Sequence, residues 1–480
     1  MAIKSEFKTF LTEYSKALDD RDAGIFVGAG LSMPAGFKSW PELLRDVAED
    51  IGLKVDRETD LVALAQYHVN EKKVRSRLNQ LLVDEFNQDV SLTENHHLLA
   101  SLPIETVWTT NYDKLLERAF KNVGKRVDAK VTTHNFSTTV RGRDVTIYKM
   151  HGDVSQPEAA VLTKEDYELF SVNREIYSTA LRGDLVSKTL LFLGFSFTDA
   201  NVDFILSRIR VLLGANPRQH YCIMKRPQYK GSGRKKAEYD YEKRKLELRV
   251  SDLKRYGIEA LLIDDYSEIT EILKELGRRT HRRNVFLSGS AHDYAPLGQP
   301  RIEGLTRLLG QQLIKNGFNL VSGFGLGIAS ACLTGAMEEI YSDEGAYLND
   351  RVVLRPFPQG ISDPQERDAL YSKYRNEMLS RVGATIFIAG NRQTNVRPGS
   401  EVAPGVLEEF AILKQQRKYP IPIGATGSAA KQIWDEVVSS LKAFYPSEGV
   451  KAHFETLGNP NKTDEEIVAA VISILKQISK

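Results

Sequence analysis

The run Ala23-Gly24-Ile25-Phe26-Val27-Gly28-Ala29-Gly30-Leu31-Ser32 decides how the first half of the chain folds. Its opening five residues carry no charge and read as a short strand buried on both faces. The small residues that follow read as a loop at the carboxyl end of that strand. Without bulky side chains the backbone can approach a diphosphate there, and N–H groups at a helix start attract its charge. The same spacing also occurs in loops without ligands, where Gly30 would serve only a tight turn.

Outward from this strand the pattern repeats. Residues 4–19 have helical periodicity, and further strands are predicted at Thr106–Thr110, Val145–Met150, Thr189–Phe195, His220–Met224 and Glu259–Ile263. Helical stretches separate them, and such alternation predicts a mainly parallel sheet covered by helices on both faces. The basic stretch Arg278–Asn284 lacks apolar periodicity and marks a boundary, giving domains at 1–283 and 284–480. A second series follows, with strands predicted in Asn284–Ala291, Phe318–Ile328, Val352–Pro358, Ala384–Gly390 and Ile421–Gly427. Strands that run into Gly or Ser suit a nucleotide site at the carboxyl edge of a doubly wound sheet. The predicted fold class is α/β, with two Rossmann-like doubly wound domains.

Composition narrows the function. A chain of 480 residues fits two or three domains at roughly 100–200 residues each. The 65 Lys+Arg are balanced by 63 Asp+Glu, which argues against a nucleic-acid coat. Lys225–Arg255 is locally dense in Lys and Arg, with a Gly231–Gly233 turn, but its interleaved acids favour a solvated helix. Two cysteines, Cys222 and Cys332, cannot make a disulfide framework or a four-thiolate zinc site, and no metal is expected. No apolar run approaches the roughly 20 residues needed to span a bilayer. MAIKSEFKTF lacks a signal-peptide core, so a cytoplasmic protein without membrane attachment is expected.

Three further strand ends carry chemistry. In Trp108-Thr109-Thr110-Asn111-Tyr112-Asp113, residues 111 and 113 stand two apart, so extended backbone points both to one side. The alternative makes them caps for the helix that follows. Tyr148-Lys149-Met150-His151-Gly152-Asp153 ends a strand with a histidine before glycine, and Gly194-Phe195-Ser196-Phe197-Thr198-Asp199 again runs from strand to small polar turn. His96 and His97 lie in an amphipathic helical stretch with no partner at ligand spacing, so a structural role is expected for them. Trp40 reads as an anchor for the loop after Ser32.

Together these four elements resemble the sirtuin family over about residues 20–275: its phosphate loop, its TxNxD segment, its HG pair and its late GxSxxD loop. The resemblance implies NAD+ as substrate. Gly28, Ala29, Gly30 and Ser32 would cradle the diphosphate, Ser196 would line the adenosine side, and Asp113 would hold the nicotinamide end. His151 would act as base and Asn111 would orient a water or the nicotinamide ribose. Protein-deacylating sirtuins carry two CxxC pairs around zinc, and this sequence has no CxxC. That departure moves the expectation from deacylation to hydrolysis of NAD+ into nicotinamide and ADP-ribose.

The second half resembles the SLOG superfamily, which joins the Lonely-guy phosphoribohydrolases to the DprA-like nucleotide-binding proteins. Phe286–Ala291 and Val321–Gly327 are its small-residue loops, and a longer Gly390–Glu409 segment replaces the usual PGGxGTxxE. Arg355 and Arg375 are cationic candidates for a phosphate. The succession of the two domains resembles the effector family of the Thoeris anti-phage system, through MHGD, LFLGFSFTD, FLSGSA, VSGFGLG, RPFPQG and PIGATG. That resemblance implies a TIR-domain partner producing a cyclic ADP-ribose isomer that binds the SLOG domain and switches on NAD+ hydrolysis. Ser288, Gly289, Ser290, Gly323, Arg375, Arg392 and Glu409 would contact this signal, and a homo-oligomer is expected. The competing expectations are a protein deacylase and a non-catalytic nucleotide-sensing scaffold.

Overall fold

The computed structural model describes residues 4–197, 206, 218–229, 235–325, 327–342, 351–358, 360–393, 399–445 and 448–479. It divides into two compact units, Met1–Gly277 and Arg278–Lys480. The division falls at the head of the basic stretch Arg278–Asn284.

The first unit is built on β1 (Ala23–Val27), β2 (Thr106–Thr109), β3 (Val127–Lys130), β4 (Val145–Lys149), β5 (Thr189–Leu193), β6 (His220–Lys225) and β7 (Ile258–Ile263). They form one sheet in the order β3-β4-β2-β1-β5-β6-β7, and every pairing is parallel. Alternate residues of each strand face opposite sides, and both sides are covered. Ile25, Val27, Val107, Leu191 and Leu193 join Phe10 and Tyr14 of the helix Lys8–Asp19 and Leu273 of the helix Ser267–Thr280. Phe26, Trp108 and Phe192 point the other way, to Tyr177, Leu181 and Leu185 of the helix Glu175–Ser187. Each fully buried side chain of this size contributes about 1.5–3 kcal/mol. Trp108 is buried without losing its donor, since Nε1 donates to Asp184 Oδ2 at 2.8 Å.

β3 was not foreseen. Two of its four residues are charged, and Asp128 and Lys130 are buried as a pair at 3.0 Å, which hides the strand from hydropathy. The basic segment forms the helix Lys236–Lys254, where Leu253 alone is buried and Arg244 pairs with Glu247 at 3.1 Å. It is the solvated helix that its interleaved acids predict; Gly231–Gly233 lies outside the described residues.

The second unit contains β8 (Asn284–Ser290), β9 (Asn319–Ser322), β10 (Val352–Leu354), β11 (Ala384–Ala389), β12 (Asn391–Gln393), β13 (Ser400–Val402) and β14 (Tyr419–Pro422). Five of them form a parallel sheet, β10-β9-β8-β11-β14. β12 and β13 pair antiparallel within the long segment that replaces the SLOG glycine motif. Among the described residues no helix is long and apolar enough to cross a membrane.

Candidate active site

Strand order and register bring the expected residues of the first unit to one edge. Val27 pairs with both Thr109 and Leu193, and Thr109 pairs with Lys149. The loops leaving β4, β2, β1 and β5 therefore start level with one another on four neighbouring strands. From β1 the chain passes to β2 on one side and later returns to β5 on the other. That reversal opens the crevice in which α/β sheets bind ligands.

The glycines of the first loop have a further use. Gly28 N–H donates to Leu193 O and Gly30 N–H donates to Gly194 O, both at 3.0 Å. A Cβ on Gly28 would lie 2.4 Å from Gly194 O, so the loops after β1 and β5 meet backbone to backbone. Both amides are thus spent on the fold. Ala29 lies exposed at the head of the 3-10 turn Ala29–Leu31, the position from which backbone can face a phosphate. Ser196 is exposed beyond β5, and Asp199 lies outside the described residues.

Asn111 is buried and spans the gap to the first loop. Its Nδ2 donates to Gly28 O at 3.1 Å and to Ser32 Oγ at 3.0 Å. These bonds fix the amide orientation and leave Oδ1 buried without a hydrogen-bond partner. Asp113 Oδ1 accepts from Leu115 N at 2.9 Å, although the N-cap position of the helix Leu115–Asn122 is Lys114, and Oδ2 is buried without a partner. A buried acceptor left unpaired costs about 1–3 kcal/mol. Two such acceptors lie on this one loop.

His151 follows β4 and is 3 % exposed. Its ring sits among those of Tyr112, Tyr167 and Phe170, with centroids 6.5, 5.5 and 6.3 Å away. Tyr112 OH donates to Val161 O at 2.7 Å, and Trp40 stacks on Tyr112 at 6.2 Å, the anchoring role expected of it. Arg174 stitches the HG turn in place, donating to Met150 O at 3.1 Å and to Ala159 O at 2.6 Å. Beneath the turn, Lys149 is fully buried and meets Glu117 Oε1 at 3.1 Å and Asp153 Oδ2 at 3.5 Å. Burial opposes its charge, yet the carboxylates of Glu117, Asp153 and Asp113 more than offset this, and its pKa lies above that of an ordinary lysine.

Lys149 and Arg174 escaped the sequence reading. The only available signal was a lysine closing an otherwise apolar strand and an arginine opening a helix, and both patterns are common on surfaces. His96, by contrast, is structural as expected. Its Nδ1 lies 2.7 Å from Thr93 Oγ1 at a helix start, and burial lowers its pKa to about 4. Among the described residues no cluster of His, Cys, Asp or Glu could hold a metal ion.

In the second unit, Ser288 at the end of β8 donates from Oγ to Glu409 Oε2 at 2.6 Å. Arg375 Nε lies 3.5 Å from Glu409 Oε1, and its NH1 donates to Glu408 Oε2 at 2.6 Å. The guanidinium lies over the rings of Phe357 and Tyr371. Burial raises the Glu409 pKa to about 7 against the opposing pull of Ser288 and Arg375, with Glu408 adding to the rise. Gly289 continues from Ser288, and Ser290 Oγ donates to Asn391 O at 2.8 Å. Gly323 follows β9, beside Phe357. Arg392 stands on the β12–β13 hairpin, exposed, and donates to Glu401 at 2.7 Å. Thus Ser288, Arg375 and Glu409 come together, whereas Arg392 is engaged elsewhere. Glu408 belongs to the cluster and was not singled out from sequence.

These two parallel sheets, with small-residue loops at their carboxyl edges, define a SIR2-like unit followed by a SLOG unit. Residues 105–261 match the SIR2-like domain family, and residues 268–478 match the Sir2- and TIR-associating SLOG family. Over 474 residues the chain is 44% identical to the NAD(+) hydrolase ThsA of Bacillus cereus (strain MSX-D12), covering 98% of each chain. It is 41% identical to the protein of that name from Acinetobacter baumannii (strain 532279), over 98% of this chain and 99% of the other. For the Cytobacillus dafuensis protein the identity is 40%, over 99% of this chain and 97% of the other. The chain belongs to the ThsA family.

Proposed function

We propose that this chain is an NAD+ glycohydrolase gated by a nucleotide signal and acting in the cytoplasm in anti-phage defence. What carries the catalytic reading is Asn111: held from one side by Gly28 O and Ser32 Oγ, it keeps a buried acceptor on a strand end level with that of His151.

Neutral nicotinamide leaves from a ribose that becomes oxocarbenium-like, and a group complementary to that state lowers the barrier. Asn111 Oδ1 accepts a hydrogen bond from the attacking water or from a ribose hydroxyl, and so orients it. His151 takes the proton as the new C–O bond forms. Asp113 Oδ2 accepts from the nicotinamide end, and Ala29 faces the diphosphate. The products are nicotinamide and ADP-ribose. Deacylation is the weaker reading, because the chain has no CxxC module to frame an acylated peptide and its full-length relatives are named as hydrolases.

The proposed signal is a cyclic ADP-ribose isomer made by a TIR-domain partner. Arg375 suits its diphosphate, because a planar guanidinium binds such oxygens in pairs. Glu409 and Ser288 suit its hydroxyls. Activation requires tighter binding to the active arrangement, and a tenfold shift takes about 1.4 kcal/mol of differential binding. We further propose that the chain assembles as a homo-oligomer whose arrangement the signal changes. Purified protein is given NAD+ without peptide, with and without a panel of cyclic ADP-ribose isomers, while nicotinamide release and particle size are followed. Release that one isomer stimulates, with a changed size distribution, is expected. Release that needs an acylated peptide overturns the hydrolase reading, and full activity without any isomer overturns the gate.

A further inference from the structure

Lys149 closes β4, and its ammonium reaches three acceptors: the Asp113 carbonyl oxygen, Glu117 Oε1 and Asp153 Oδ2. Two of these contacts are hydrogen bonds, to Asp113 O and Glu117 Oε1, and the third is an ion pair at 3.5 Å. Two of the acceptors belong to the segment leaving β2, since Asp113 lies in the loop and Glu117 in the first turn of the helix Leu115–Asn122. The third lies in the loop leaving β4, two residues beyond His151. One buried cation is therefore shared by the segment that presents Asn111 and the segment that presents His151.

Stability alone gives no reason for this arrangement. Removing an ion from water costs several kcal/mol, and apolar replacements of buried ion pairs are often neutral or stabilising. An apolar residue ending β4 would fill the space, but it would not join the two loops. The Lys149 hydrogen bonds to Asp113 O and Glu117 Oε1, together with its ion pair to Asp153, do so. The diphosphate-side loops after β1 and β5 are held to one another instead, by the Gly28 and Gly30 amides.

We propose that Lys149 is a positioning residue that clamps the Asn111–Asp113 segment to the His151–Asp153 segment, and so sets the spacing of the groups that act on the nicotinamide ribose. The proposal rests on the reading that Asn111 and His151 carry the hydrolysis. Loosening the clamp moves these groups relative to each other and leaves the diphosphate loops in place, so turnover falls while substrate affinity holds. Displacements of about 1 Å in such a constellation cost on the order of 100-fold in rate.

The test is steady-state NAD+ turnover by the full chain, with and without a panel of cyclic ADP-ribose isomers. Lys149→Met removes the cation from both Glu117 and Asp153, so it is combined with Glu117→Gln to keep the net charge of the cluster unchanged. The expected result is a cooperatively melting protein whose kcat falls about 100-fold while KM for NAD+ changes less than about threefold. Asp153→Asn removes one charge from the same clamp while keeping the acceptor for Ser155, and should lower kcat about tenfold at unchanged KM. Wild-type kcat in a folded double variant overturns the proposal. If the double variant does not fold, wild-type kcat in Asp153→Asn does so. Asn111→Ala and His151→Ala run alongside: activity surviving in either overturns the underlying catalytic reading, whereas their inactivity beside active Lys149 variants overturns the clamp alone.

Discussion

In the first unit Asn111 Oδ1 and Asp113 Oδ2 are buried acceptors without hydrogen-bond partners, whereas in the second Ser288, Glu409, Arg375 and Glu408 are in mutual contact and the buried atom left without a hydrogen bond is a donor, Arg375 Nε. Both sets lie at the carboxyl edge of a parallel sheet. The difference lies in what each has already bonded. Acceptors kept unpaired in the interior cost stability and are ready for a substrate that donates to them. A cation already paired with carboxylates must be released, at least in part, before it can hold a phosphate. Under the proposed function, the first arrangement serves repeated turnover, and the second serves a site whose occupancy changes the structure around it.

Breaking the first arrangement should have the largest effect. Asn111→Ala removes the oriented acceptor and His151→Ala removes the base, and each is expected to lower nicotinamide release by about a thousandfold. Far-ultraviolet circular dichroism and melting temperature check that the fold is kept. A variant that retains more than about a tenth of the wild-type rate would assign the chemistry to other groups.

In the second unit, Arg375→Ala removes the guanidinium proposed for the diphosphate. Calorimetric titration should show the affinity for an activating cyclic ADP-ribose isomer falling about 100-fold, as losing two charge-assisted hydrogen bonds predicts. Arg392→Ala supplies the contrast. Its side chain is exposed and paired with Glu401, so its loss should cost less than threefold unless the hairpin folds over the ligand. Equal losses from the two substitutions would mean that the hairpin arginine is recruited on binding.

Gly28→Ala sharpens the comparison from the side of stability. Its new Cβ would meet Gly194 O at 2.4 Å, closer than carbon and oxygen can approach, so one of the two loops must shift. Overpacking of this kind costs about 1–3 kcal/mol, which denaturant melting of the first unit would report. A simultaneous rise in KM for NAD+ is expected, because the displaced loop carries Ala29.

How much of this was legible in the sequence differs between the two sites as well. Short apolar runs located β1, β2, β4 and β5, and the polar or small residues following them located the candidate active edge. β3 stayed hidden because its buried Asp128 and Lys130 pair with each other, so the strand reads as polar. Lys149 stayed hidden for the same reason: a buried charge looks like a surface charge until its partners, Glu117 and Asp153, are seen around it. Gly28 and Gly30 were read as making room for a phosphate, but the neighbour at contact distance is the backbone of Gly194. In the second unit Glu409 was named only through the family resemblance, and nothing along the chain showed that Arg375 and Ser288 would reach it from other elements.

A pH dependence is expected at the second site. Four groups meet there: Glu409, the Ser288 hydroxyl, the Arg375 guanidinium and the Glu408 carboxylate. Burial brings the Glu409 pKa to about 7 from the ordinary carboxylate range. The folded state therefore holds a proton that the unfolded chain has already lost, and this contribution to stability disappears as pH rises from the ordinary carboxylate range through about 7. An anionic diphosphate drawn to Arg375 takes away part of the cation's pull on Glu409 and adds negative charge beside it. Both changes raise the Glu409 pKa further, so binding takes up a proton and weakens as pH rises above 7, by no more than about tenfold per unit for a single group. Titrating a cyclic ADP-ribose isomer into the protein between pH 6 and 8 should show this slope, and Glu409→Gln should flatten it. Affinity that instead strengthens with rising pH would mean that the ligand's hydroxyls donate to an ionised Glu409. The acid would then serve the second site as Asn111 Oδ1 is proposed to serve the first, as an acceptor waiting for a ribose.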